Sequence, residues 1–381
     1  MKSLSVALVI SVIWPAALMA QTTNATNGIL TADAAGKNIL EIRTPDNLAC
    51  TIDITAHQQN KIEVNYTKLT NVSVEETQQR YFSLIDIGLD DNAKNSDGLR
   101  LRVLSPMKAP WEGKDAGVRV ILNIKVPNNF RIDSNNSYSR INIIGPLSDI
   151  AVTNEYGAIS AVDIKGDVVI KTSYSDINLE RVVGGADVQT SCSNIFVKDM
   201  ILSDNAGFFE TSYGMISLAK IKGPLEANTS FDSILARDIE SSEGSIVLRT
   251  SYGKIDGSRI SGELICETSY NPIVLTDVVF THGANNIATR YSPIKVDAKK
   301  ILNGARLTIN NTYNNIDLTL PQDISTRLTL AVDRGGKIHT KGIPIKPLVM
   351  EKTRLEGLIG DGRSFVEINV DGIGEINVEG K

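Results

Sequence analysis

Between about residues 136 and 316 apolar and polar positions alternate in short runs, and the phase slips by one at regular places. In one copy Val168, Ile170 and Thr172 share a face; after a turn Ile177 and Leu179 take over, and the phase slips again at Val182. Period-two alternation marks strands, and each slip marks a bend in the chain. The pattern predicts two or three short strands per copy, joined by tight corners, with isoleucine and valine stacked inside.

The copies align on an anchor that is almost always aromatic: Tyr138, Tyr156, Tyr174, Cys192, Tyr213, Phe231, Tyr252, Tyr270, Tyr291 and Tyr313. Anchors follow one another at 18 to 22 residues, the spacing of a stacked repeat. Three positions on, every copy carries isoleucine, from Ile141 and Ile159 through Ile255 to Ile316. Two positions before the anchor stands Asn or Thr, and directly after it Ser, Gly, Asp or Asn, all turn formers. Pro272 and Pro293 follow the turn, where a corner accepts proline and a central strand does not. Eighteen residues at roughly 3.3 Å each give a perimeter of about 60 Å, enough to close one rung.

Some anchors two copies apart are separated by 39 residues, so a turn holding two copies is the rival arrangement. The column seven after the anchor decides between them: Asp163, Arg181, Asp199, Lys220, Asp238, Arg259, Asp277. One copy per rung stacks acid on base, whereas two copies per turn would stack like charges. The expected fold is all-β: a right-handed parallel β-helix (β-solenoid) of about ten 18–22-residue rungs. The hand follows from strand twist and the usual crossover sense.

Outside the repeats, 39–43, 51–54, 61–64, 99–103 and 118–122 alternate as half-buried strands, and 75–84 is the one candidate helix. An open stack exposes strand edges and core, so these segments are expected to cap it. Residues 333–338 read as a degenerate eleventh rung. Residues 343–348 contain two prolines and cannot form a central strand, and 362–370 and 373–378 return to alternation. The organisation expected is a signal peptide at 1–20, a flexible N-terminus at 21–36, a β-rich cap at 37–129, the repeats at 130–320, and a degenerate rung with C-terminal cap at 321–381.

Composition narrows the class. Of 381 residues 42% are hydrophobic but only 5% aromatic, so the core must be aliphatic. A net charge of −5 argues against nucleic acid, which calls for a basic patch. Lys2, the apolar stretch from Leu4 to Leu18 and the polar Gln21 read as a secretory signal. The rival, an uncleaved anchor, is disfavoured because the run falls short of the ~20 residues needed to span. No other segment is long and apolar enough to span, so export to the periplasm, cell surface or medium is expected. Cys50, Cys192 and Cys266 form no paired spacing; Cys192 and Cys266 read as small buried hydrophobes rather than disulfide or metal partners.

The Thr250-Ser251-Tyr252-Gly253-Lys254-Ile255 phrase recurs through the repeats, with Gly166, Gly185, Gly223, Gly244 and Gly262 opening successive copies. With Ile124-Lys125-Val126-Pro127 just before them and glycine-bearing strands after, it resembles the bacterial putative-adhesin family of β-strand-repeat envelope proteins. The resemblance runs from about Lys37 to the end. It implies a secreted or surface-exposed right-handed β-helix with no assigned reaction. This chain departs by placing tyrosine where family repeats often carry Asn or Ser before the glycine.

His57, His282 and His339 lie far apart, and none has a ligand neighbour at metal spacing. No phosphate loop, nucleophile elbow or His-Glu-x-x-His is present. No cofactor is expected. The enzymatic alternative is a polysaccharide lyase or hydrolase, which would need two carboxylates at a defined separation; the alternating charge column reads instead as an ion ladder. The function expected is a non-catalytic binding or scaffold module whose partner is an envelope glycan or a surface protein. Four insertions, at 201–207, 239–244, 278–283 and 299–304, should stack at one corner of every rung into a ridge. Phe196, Leu235 and Val274 fall on an outward column beside it, either covered by the ridge or forming an apolar strip. Trp111, on the polar interruption at 106–117, is either a sugar-stacking platform or folded over the cap. The tyrosine column is read as an interior or corner stack by its parity with inward positions, with an exposed glycan-gripping stripe as the other reading.

Overall fold

Ten isoleucines, one per copy, define the axis of the molecule. In the computed structural model, which describes residues 24–92, 95–112, 117–203, 206–333 and 335–381, all ten from Ile141 to Ile316 are fully buried. Ile159 pairs in parallel with Ile141 on one side and Ile177 on the other, and the register repeats through Ile234–Ile255, Ile273–Ile294 and Ile294–Ile316. One copy therefore occupies one layer, and the two-copy arrangement is excluded. The described residues form a single sheet of 31 strands and one helix, Glu75–Ser83. The core is almost wholly aliphatic, with Phe209 and Phe280 among its few rings.

Each copy turns at two kinds of corner. At the first, the Thr or Asn before the anchor is buried and stitches neighbouring layers. Thr250 Oγ1 donates to the Asp232 carbonyl (3.2 Å) and accepts the Gly253 N–H (2.9 Å); Thr229 donates to the Gly214 carbonyl (2.9 Å). A Cβ at Gly253 would lie 1.7 Å from the Asp232 carbonyl oxygen, so this turn admits no side chain. At the second corner the charged column supplies the turning residue. Asp163, Arg181, Asp199, Lys220, Asp238, Arg259 and Asp277 all have φ between 53° and 61°. A single left-handed residue bends the strand and reverses the alternation, which is the slip seen at Val182. The conformation costs L-residues roughly 1–2 kcal/mol, so it is the burial on either side, such as Leu179 and Val182, that holds it.

The ends break the sequential order. Ile39–Arg43 and Ala49–His57 form the layer below the first repeat, parallel to Arg131–Asn135 and Ser139–Leu147. Gly98–Leu104 and Val118–Pro127 come later in the chain yet lie outside that layer, again parallel. Antiparallel strands then cover the edge: Lys61–Thr70 on Val118–Pro127, Asn24–Asp33 on Lys61–Thr70, and Asp86–Asp91 on Gly98–Leu104. At the other end Ser364–Val370 and Glu375–Gly380 sit between Arg306–Asn311 and Ile316–Leu320 on one side and Thr326–Val332 and Lys337–Lys341 on the other. Arg354–Ile359 and then Lys346–Met350 close that end antiparallel. Pro347 lies on the outermost of these strands, where a missing N–H does no harm.

Two expectations change here. Residues 24–33 of the stretch read as a flexible N-terminus form a strand, because Lys61–Thr70 offers them an open edge. The degenerate rung is not the next layer after Ile316; the C-terminal strands are inserted before it. The signal-peptide segment 1–20 lies outside the described residues.

Candidate functional site

The aromatic anchors line up at the first corner as a continuous edge. Tyr138, Tyr156 and Tyr174 stack at 4.9 and 4.8 Å between ring centroids, within 6° of parallel. Tyr213, Phe231, Tyr252, Tyr270, Tyr291 and Tyr313 form a second run at 4.7 to 5.4 Å. The rings are not interior: they are 37% to 59% exposed, because the corner turns the anchor outward despite its parity with the buried positions. They also offer no row of faces to a sugar, since each face inside a run is covered by the next ring. Cys192, expected to be buried, is exposed between the two runs. Cys266 is buried, as is Cys50, whose thiol burial pushes up to about 12.

At the second corner the charged column pairs between layers. Arg181 holds Asp163 through two hydrogen bonds (2.6 and 3.0 Å), and Arg259 grips Asp238 in the same way. Lys220 reaches Asp199 at 3.6 Å and Lys299 reaches Asp277 at 3.4 Å. The hydrogen bonds from the arginines hold the Asp163 and Asp238 carboxyls below the usual carboxylate range.

Beside this column a groove of about 530 Å³ crosses four successive layers. Its walls carry Asp199, Lys220, Asp238 and Arg259 on one side and Ile201, Lys222, Glu240 and Ser261 on the other. Ile201, Lys222, Glu240 and Ser261 share one register, so the insertions at 201–207 and 239–244 begin at the groove's rim. Insertion-bearing copies alternate here with short ones, so the ridge is notched rather than present on every layer. Ser241 anchors one insertion by donating toward the Glu243 and Gly244 carbonyls (2.8 and 3.0 Å).

The residues singled out for binding are not brought together. Phe196, Leu235 and Val274 do share an outward column, but Ser217 lies between the first two and Asp256 between the last two. Each is half-buried, and the polar interruptions prevent a continuous apolar strip. Trp111 is not an exposed platform: it is 6% exposed and packs edge-on against Tyr81 of the helix at 5.4 Å. The groove itself was missed, although its charged wall was legible; a left-handed corner leaves no periodicity signal of its own concavity.

No family model matches the chain, and no curated protein matches it. Among solved structures it is similar to a putative cell adhesion protein from Clostridium sporogenes ATCC 15579, at 9% identity over 94% of this chain and 100% of that one, TM-score 0.19. It is similar also to putative adhesins from Parabacteroides distasonis ATCC 8503 (12% identity, 93% and 97% covered, TM-score 0.19) and Parabacteroides merdae ATCC 43184 (11%, 93% and 95%, TM-score 0.20). No helix among the described residues is long and apolar enough to cross a membrane.

Proposed function

We propose that the protein is an exported, non-catalytic binding module of the cell envelope, its repeats wound as a right-handed parallel β-helix. The observation that carries this reading is the groove at the charged corner. It is elongated along the stack, and several layers each contribute one residue of similar placement, so an extended polymer rather than a compact ligand fits it. Its exposed apolar surface comes from Ile201, with Met200, Ile221 and Ile239 buried in the core beneath it, while both signs of charge stand on its walls. That mixture suits a surface glycan carrying charged substituents, with a surface polypeptide as the other occupant the test must separate.

Asp238, at the centre of the groove's charged wall, is poorly suited to act as the acid of a cleavage reaction. A glycosidic general acid needs a raised pKa, and Asp238 is held in the opposite direction by Arg259. A glycan array and a pull-down from envelope extract, run on the parent and on Ile201→Asp with Lys222→Glu, test the reading. Binding that the double substitution abolishes supports it. Binding that survives moves the site elsewhere, and cleavage of an acidic polysaccharide by the purified protein makes it an enzyme.

A further inference from the structure

The aromatic column is interrupted once between Tyr138 and Tyr313, at Cys192, and the interruption has a defined shape. The main chain does not register it. The Tyr174 N–H bonds to Glu155, the Cys192 N–H to Ser173 (2.9 Å) and the Tyr213 N–H to Ser191 (3.0 Å), so the layers keep their spacing through the cysteine. Tyr174 and Tyr213 therefore stand two layers apart, roughly 9.6 Å along the stack. Between them a side chain of one sulfur replaces a ring. No ring stacks on Tyr174 or Tyr213 from this side, whereas Phe231 and Tyr252 are stacked on both, and Tyr213 is the most exposed ring of the column at 59%.

We propose that this step binds one flat aromatic ring, inserted between the faces of Tyr174 and Tyr213. Every other step of the column already accepts such a ring at 4.7 to 5.4 Å from its neighbours, so a ligand ring at the level of Cys192 meets two faces at the separation the fold itself imposes. The residues flanking the anchors are the uncharged Ser173, Ser191, Ser193 and Ser212, and the nearby Asp176 is engaged by the Asn194 N–H and side-chain amide (2.9 and 3.2 Å), which favours an uncharged or weakly polar ring system. The thiol contributes only its small size. At the upper end of the column Tyr313 has a ring on one side only and Gly372 beside it, a Cβ there falling 3.0 Å from the ring, so a ligand ring would not lie between two rings there. The inference stands on the ring geometry and is independent of the groove at the charged corner.

Lumichrome, an uncharged three-ring fluorophore, serves as the probe, titrated into the full chain with its anisotropy and the tyrosine emission as readouts. One saturable equivalent is expected. Cys192→Tyr, which fills the step with the chain's own ring, and Tyr213→Leu, which removes one face, should each weaken binding roughly tenfold or more, while Cys192→Ala stays within about twofold. Unchanged circular dichroism and melting of the variants show that the loss is local. Absence of saturable binding to the parent overturns the proposal. So does equal binding to Cys192→Tyr, loss of binding in Cys192→Ala, or displacement of the dye by a simple methyl pyranoside, which would assign the step to a sugar.

Discussion

From Ile159 to Ile294 the partner of each layer in the sheet is the next copy along the chain, 18 to 22 residues away. At the two ends the partner comes from much further off: Ile52 lies on Ile141, and Ile376 on Ile316. The isoleucine column nonetheless continues through both, fully buried in each case. The interior demands the same thing everywhere, an aliphatic side chain at one point of each layer, and is indifferent to the order in which the chain delivers it. Order matters at the surface of the ends instead, where a later segment must lie outside or inside an earlier one so that antiparallel strands can close the edge.

Deleting residues 364–381 should break this arrangement most severely. The segment lies between two layers, so its loss separates Thr326–Val332 and Lys337–Lys341 from the repeats and bares the core at Leu307, Ile309 and Ile316. Insoluble protein, or exposed apolar surface by dye binding, is the expected outcome; a soluble fragment melting like the parent would show that the end layers merely decorate the stack. A second comparison uses one substitution at two places. Ile255→Asp buries an unpaired carboxylate in a middle layer, which costs several kcal/mol and should prevent folding. Ile376→Asp should do the same if the inserted layer belongs to the core, and a near-normal melting curve for it alone would divide end from middle.

Thr250→Val is smaller and local to the first corner. It removes the hydroxyl that serves both the Asp232 carbonyl and the Gly253 N–H, and the loss should be about 1–3 kcal/mol by chemical denaturation. The charged corner is the weakest lever. Arg259→Ala frees an exposed carboxylate, and surface pairs of this kind contribute little, so the melting temperature should barely move at neutral pH. The pH dependence has a definite sign. The folded-state pKa values of Asp163 and Asp238 lie below the ordinary 3.8, so the unfolded chain binds more protons in that window. Their stabilisation is present above about pH 4 and is lost as the pH falls through the folded values. Acid titration of the parent against Arg259→Ala, with the two curves converging at low pH, checks it.

How far these features could be read in advance depended on where each residue finds its partner. The copy length, the inward isoleucines and the acid–base alternation of Asp163 to Asp277 were legible, because the residue that each one meets lies one period away and leaves a column in the alignment. The candidate site was legible only as fragments. Phe196, Leu235 and Val274 were placed on one column correctly, but the column was taken without Ser217 and Asp256, which divide it. Parity favoured a tyrosine stack, interior or at a corner; the stack forms at the corner, where alternation is suspended and the turn, not counting, points the rings outward. Trp111 follows the second of its two readings, folded over the cap, but its partner, Tyr81, was not legible because it is reached through the helix and not through any repeat. The sequence by itself thus determined the unit and its stacking, since both rest on contacts repeated at a constant separation. The tertiary structure alone decided the layer order at the ends, the exposure of the aromatic edge, the bare step at Cys192 and the groove, since each depends on contacts made once, between segments that no period connects.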